Sequence, residues 1–313
     1  FFLANVAMVL QLLPVGSAVI ADRYTYLSFV GIGFILASLV QSARARSLVP
    51  GAVLVALLAA AGIGALLATQ ARCAVWKDNV TLWNDVLGRY PNLPLGYTMR
   101  ARSYMQQGRN ALAMADAQKA LSLDPKQPRA LTMRGTLRYL NGDLEGARTD
   151  LEEAVRLEPR EAVPWNSLGA VHLSQRRHDL AYRDFTRAIE LKNDYAEAYL
   201  NRALTLIGLN QTARAMPDFD RSILLESGKP NAYLWRGEAR HMLGDIPGAI
   251  SDYGRSLALD PSSAAAHYAR ARAYDRLGRF EDALGDASRA RDLGYPVPPG
   301  YVDGLKEKVA TRH

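Results

Sequence analysis

Cysteine is nearly absent: Cys73 is the only one in 313 residues. No disulfide can form within the chain, and no cysteine-based metal site can be built. Histidine is scarce as well. His172, His178, His241, His267 and His313 show no metal-ligand spacing, and His172 and His267 fall in ordinary aromatic packing slots of the repeat described below. No glycine-rich phosphate loop occurs, and no reactive side chains converge in sequence. The sequence thus points to no catalytic residue, no metal and no cofactor. A Lys/Arg-rich run is missing too. The net charge is +7, of which +5 lies beyond residue 71. That is a mild basic excess on a solvated helical surface, and it argues against a nucleic-acid partner.

Charge itself is missing from one end. Residues 1–71 hold only Asp22, Arg23, Arg44 and Arg46. A spanning helix needs about 20 mostly apolar residues. Tyr24–Ala43 and Ser47–Ala71 each qualify, and Phe1–Leu13 reads as the end of a third span closed by Pro14 and Gly16. Gly62 and Gly64 in the second complete span are small enough to admit a neighbouring membrane helix. The short loop with Arg44 and Arg46 favours the cytoplasmic side. Two crossings then put the Asp22–Arg23 loop and everything after residue 71 on the extracytoplasmic face. The chain opens at Phe1 inside an apolar run with no basic residues ahead of it. That is the pattern of a segment of a longer protein and not of a signal peptide.

What is abundant is repetition. A 34-residue period runs without insertion through 94–127, 128–161, 162–195, 196–229, 230–263 and 264–297. Position 20 is Ala113, Ala147, Ala181, Ala215, Ala249 and Ala283, and position 8 is always Ala or Gly. Position 4 is bulky (Tyr97, Leu131, Trp165, Tyr199, Tyr233, His267), as is position 24 in Leu151, Phe185, Phe219 and Tyr253. Small residues let two antiparallel helices approach, and the bulky ones fill the space between neighbouring pairs. Gly108, Gly142, Gly244 and Gly278 at position 15 end the first helix, and a proline near position 32 stops the second. The third repeat has Arg176 and Asn193 at those places, and the fourth Asn210 and Ser227. Position 7 is Arg100, Arg134, Arg202, Arg236 and Arg270, with Leu168 the exception. Position 23 is Asp116, Asp150, Asp184, Asp218, Asp252 and Asp286. The two rows predict an ion-pair ladder inside each repeat. Asp184, with no Arg in its own repeat, is expected to borrow one or to be exposed.

Residues 94–297 resemble the tetratricopeptide (TPR) repeat family. The resemblance implies an all-α superhelical solenoid that binds protein or peptide along a groove lined by the first helices. By position its candidates are Thr98, Arg102, Thr132, Asn166, Glu238, Arg272 and Arg276. The Lys and Asn set with which the family's chaperone-tail binders clamp a terminal carboxylate is not reproduced. The family's sugar transferases carry a groove asparagine ladder at position 6; here that row is Met99, Met133, Ser167, Asn201, Trp235 and Ala269. Before the array, 72–93 reads as a half-repeat, with Trp83 and Pro91 in phase. After it, 298–313 reads as a capping helix, with Tyr301, Leu305 and Val309 on one face and Lys306, Lys308 and Arg312 opposite.

The junction carries a second resemblance. Residues 12–93, most specifically Ala21-Asp22-Arg23-Tyr24-Thr25-Tyr26-Leu27, look like the C-terminal half of transmembrane-and-TPR (TMTC-type) proteins and their bacterial relatives. It implies a parent that transfers sugar from a lipid-linked donor, with further membrane helices in the same chain. Asp22 and Arg23 would then sit on its active-site rim and the repeats would hold the acceptor. The reading of the chain is a membrane-anchored TPR scaffold for polypeptides, with that acceptor-binding role as the alternative.

Overall fold

The computed structural model describes residues 77–311 continuously, together with Val75 and Val53, Ala56, Ala59, Ala60, Ile63 and Gly64. The last six are helical. Among the described residues no helix is long and apolar enough to cross a membrane. The first span, all but those six positions of the second, and Asp22, Arg23, Arg44, Arg46 and Cys73 lie outside the described residues.

Residues 79–310 form fourteen helices and no strand. Helix α1 is Asn79–Arg89. Six pairs follow: α2 Pro94–Gln106 with α3 Asn110–Leu123, α4 Pro128–Leu140 with α5 Leu144–Leu157, and α6 Ala162–Ser174 with α7 His178–Leu191. Then come α8 Ala196–Gly208 with α9 Thr212–Leu225, α10 Pro230–Leu243 with α11 Ile246–Leu259, and α12 Ala264–Arg276 with α13 Phe280–Asp292. Helix α14, Tyr301–Ala310, closes the set. The boundaries recur because the punctuation recurs. Prolines stand at the starts of α2, α4 and α10, where a missing N–H costs nothing. The Asp143 and Asp245 carboxylates accept from the Gly146 and Gly248 amides at 2.9 and 3.0 Å and cap α5 and α11. Position 15 has a left-handed backbone in every repeat, including the two without glycine: φ is +57° at Arg176 and +60° at Asn210.

Close approach within a pair is enforced at position 8. A Cβ on Gly237 would lie 2.7 Å from the Tyr253 ring, and one on Gly169 would lie 2.7 Å from the Phe185 ring. The bulky side chain at position 24 therefore sits first on position 8 of its own repeat. Only beyond that does it reach the neighbouring pair, as Phe219 does at Ala239. Position 4 has a second duty that its bulk did not announce. Tyr97, Trp165 and Tyr199 donate to the carbonyls of Pro91, Pro159 and Asn193 at 3.0, 3.1 and 3.3 Å, and His267 Nε2 meets that of Pro261 at 3.3 Å. Each bond ties the start of a repeat to the turn before it.

In the unit from Leu82 onward, each pair packs on the next. First helices also touch the first helices of adjoining repeats, more closely than second helices touch one another. On a curved stack the inner elements lie closer together, so the first helices form the concave wall. Trp83 and Leu87 of α1 are buried, and Leu87 lies against Gly96 of α2. At the other end Val302 and Leu305 of α14 pack on Ala271, Ala283 and Ala287. Tyr301 falls at position 4 of a further period, and it meets Tyr268 edge-on at 5.8 Å.

Candidate ligand groove

The charged rows belong to the framework. Arg100, Arg134, Arg202, Arg236 and Arg270 each grip the position-23 carboxylate of their own repeat through Nε and Nη2, at 2.6–2.9 Å. Hydrogen bonding to the carboxylate raises each guanidinium's pKa against the opposing pull of burial. Tyrosines at position 4 or 11 lie over four of these five guanidinium groups, for example Tyr97 and Tyr104 at 5.5 and 5.9 Å from Arg100. The ladder also reaches across repeats: Nη1 of Arg100, Arg202 and Arg236 donates to Asn84, Thr186 and Asp220 of the preceding repeat, at 2.7, 3.3 and 2.8 Å.

The third repeat departs from expectation. Asp184 neither borrows an arginine nor lies exposed. It is buried, and His172 Nδ1 of its own repeat meets its Oδ2 at 2.6 Å. Burial pushes the Asp184 carboxyl above its ordinary range, and the His172 bond opposes the shift. Position 11, where His172 stands, also carries Arg138 and Arg240, which reach Asp150 and Asp252 at 2.8 and 2.9 Å. That basic row was the available signal.

The groove wall has a laced part and an open part. Thr98 is buried, and its hydroxyl bonds the Pro94 carbonyl and Gln127 Oε1 at 3.0 and 2.7 Å. The Thr132 hydroxyl, half-buried, returns to the Pro128 carbonyl at 2.9 Å. Asn166 is buried and accepts from Asn201 Nδ2 of the next repeat at 3.2 Å. It also supports the Tyr195 hydroxyl, whose pKa burial pushes up to about 12. Thr136 and Ser167 meet at 3.3 Å, and Tyr139 and Ser174 at 3.2 Å. The bonds from Asn166 to Asn201, Thr136 to Ser167 and Tyr139 to Ser174 lie between first helices and fix their spacing. Arg102, Arg272 and Arg276 are exposed, and Glu238 is half-buried with Arg272 at 3.9 Å.

Sequence reasoning missed the apolar component. Leu95, Leu140, Val163, Trp235 and Met242 stand 41–64% exposed on first helices. In the middle of the array the first-helix positions are Ala170, Leu173, Leu200, Leu204 and Ile207, an uncharged strip. Among the described residues no group of His, Cys, Asp and Glu could hold a metal ion. The wall therefore offers van der Waals surface, amide and hydroxyl groups, and arginines at its ends.

Tetratricopeptide repeat family models match residues 98–164, 133–196 and 196–228, and a TPR repeat model matches 237–278. No curated protein sequence is significantly similar to the chain. Solved structures with the same fold include the Cut9–Hcn1 hetero-tetramer of the APC/C, at TM-score 0.65 and 19% identity over 72% of this chain. That match takes in 45% of the other chain, so this chain spans less than half of it. Pseudomonas aeruginosa pilF is similar at TM-score 0.60 and 20% identity, over 70% of this chain and 99% of that one. A tetratricopeptide repeat protein from Parabacteroides merdae is similar at TM-score 0.54 and 19% identity, over 79% and 98%. The period, the helix pairs and the matched stretches agree: the chain carries a tetratricopeptide-repeat array.

Proposed function

We propose that the chain is a scaffold that holds an extended stretch of a partner polypeptide along the concave wall of its repeats, and that residues 1–71 anchor it in a membrane with the array on the extracytoplasmic side. The observation that carries the binding part is the exposed apolar set on the first helices. Large apolar groups left in water along the first helices mark an interaction surface. The anchor and its orientation rest on the two uncharged stretches and the Arg44–Arg46 loop.

Two experiments test the parts separately. Crosslinking from the first helices to a bound polypeptide supports the groove, and a partner held only on the convex helices overturns it. With Cys73 replaced and one cysteine placed in repeat three, an impermeant thiol reagent is expected to label intact cells. Labelling only after permeabilisation overturns the orientation. The run Ala21–Leu27 favours a second reading, the acceptor-holding part of a lipid-linked-sugar transferase. Sugar transfer from a lipid-linked donor by the isolated repeats would replace the scaffold reading with an enzymatic one.

A further inference from the structure

The wall of repeats five and six differs from the rest. Trp235 and Met242, seven residues apart and so on one face of α10, are 41% and 64% exposed. Next to them on α12 stand Arg272 and Arg276. Arg276 forms no ion pair among the described residues, and Arg272 approaches Glu238 only to 3.9 Å, beyond hydrogen-bond reach. His241 of α10 registers their field: burial lowers its pKa first and Arg272 next, Glu238 opposes them, and Arg276 adds the smallest lowering. Behind this wall the Tyr253 hydroxyl is fully buried beside Glu238 and has no hydrogen-bond partner. Buried hydroxyls are ordinarily bonded, and Glu238 interacts with this one without completing a hydrogen bond.

We propose that repeats five and six are the anchoring end of the groove, and that the occupant is an acidic segment of a partner polypeptide in which a large apolar side chain lies next to a carboxylate. The inference rests on the reading that the concave wall is the binding face. The apolar group covers Trp235 and Met242. The carboxylate takes Arg276 and draws Arg272 from its loose contact with Glu238. Glu238, released, accepts from the Tyr253 hydroxyl. The ligand thus exchanges one long ion contact for two charge-assisted hydrogen bonds and satisfies a buried donor.

The probe is a fluorescein-labelled Gly/Ser peptide with a central Leu-Asp-Trp-Glu, compared with versions carrying Lys for the acids or Ser for the apolar residues. Binding to the whole chain in detergent is followed by anisotropy. The acidic–apolar peptide is expected to bind best and to weaken with salt. Trp235→Ala and Arg276→Glu are each expected to cut affinity at least about tenfold while leaving thermal unfolding in place, since both side chains are exposed. Tyr253→Phe is expected to bind less tightly although the free chain becomes no less stable, an effect that a purely structural tyrosine would not give. The Lys peptide binding as well as the acidic one overturns the inference. So does concentration-dependent self-association abolished by Trp235→Ala, which would make a second copy the occupant. If Leu140→Glu in the other half of the groove abolishes binding while Trp235→Ala and Arg276→Glu stay within about twofold, this inference falls and the groove reading stands. If none of the three matters, both fall.

Discussion

At the scale of single residues, the six position-23 carboxylates are the informative series, because the same buried group meets different partners. Asp218 relies on Arg202, whereas Asp150 is held by both Arg134 and Arg138. Removing one partner of a buried pair leaves an uncompensated charge and costs roughly 3–5 kcal/mol. Arg202→Ala is therefore expected to approach that cost, and Arg134→Ala to fall well short of it because Arg138 remains; urea midpoints of the two variants check the order. Asp184 gives the pH test. Its pKa is raised from 3.8 by burial, so folding takes up a proton there as pH passes above that value. The contribution is present at low pH and is lost as pH rises through the folded-state pKa. The stability of the chain relative to Asp184→Asn is thus expected to improve as pH falls from about 7 to about 4; no trend, or the opposite one, would contradict the assignment. The Arg and Asp rows were legible because they recur at one spacing. The His172 contact was harder to see, since the partner there has moved one helical turn, from position 7 to position 11, where only Arg138 and Arg240 hinted at it.

At the scale of the helix, two elements depart from their own rules. Pro217 lies inside α9, past the first turn, where its ring and missing N–H oppose the helix. It is exposed, so Pro217→Ala removes no packing and is expected to stabilise the chain by up to about 3 kcal/mol in a denaturant titration. Arg176 takes a left-handed backbone that its own repeat family fills with glycine elsewhere, so Arg176→Gly is expected to gain about 1 kcal/mol. Helix starts and stops were readable from Pro, Gly and Asp because those residues act through local geometry. The terminal helix was readable in outline only. Tyr301, Leu305 and Val309 share a face, but Val302 and Leu305 are the buried pair, since α14 settles against α13 and the end of α12.

At the scale of the array, each helix pair depends chiefly on its neighbours, so stability is distributed along a line. Hydrogen-exchange protection is expected to be highest in α6–α9, flanked on both sides, and lowest in α1 and α14. Leu305→Asp, at a site 1% exposed, is expected to lower protection in α12 and α13 while leaving α4–α7 nearly unchanged. A uniform loss along the chain would show a single cooperative unit instead. The groove was only partly legible because curvature and lacing choose which first-helix residues face solvent. Thr98 and Asn166 hold hydrogen bonds within the wall, and Trp235 entered the sequence reading only as one of five position-6 residues that are not asparagine.

The cross-repeat reach of the position-7 arginines bears on whether the units are interchangeable. Arg236 is completed by Asp220, and Arg202 by Thr186, each from the unit before it. Cut the chain at its turns and splice the units in another order, with unit five behind unit one, and Arg236 faces Gln118; with unit three behind unit four, Asp220 faces Leu168. Each unit would still fold its own helix pair, yet the seams would no longer match. The array is a string whose links are cut to fit in one order, and shuffled versions are expected to melt earlier than the original although every residue of it is retained.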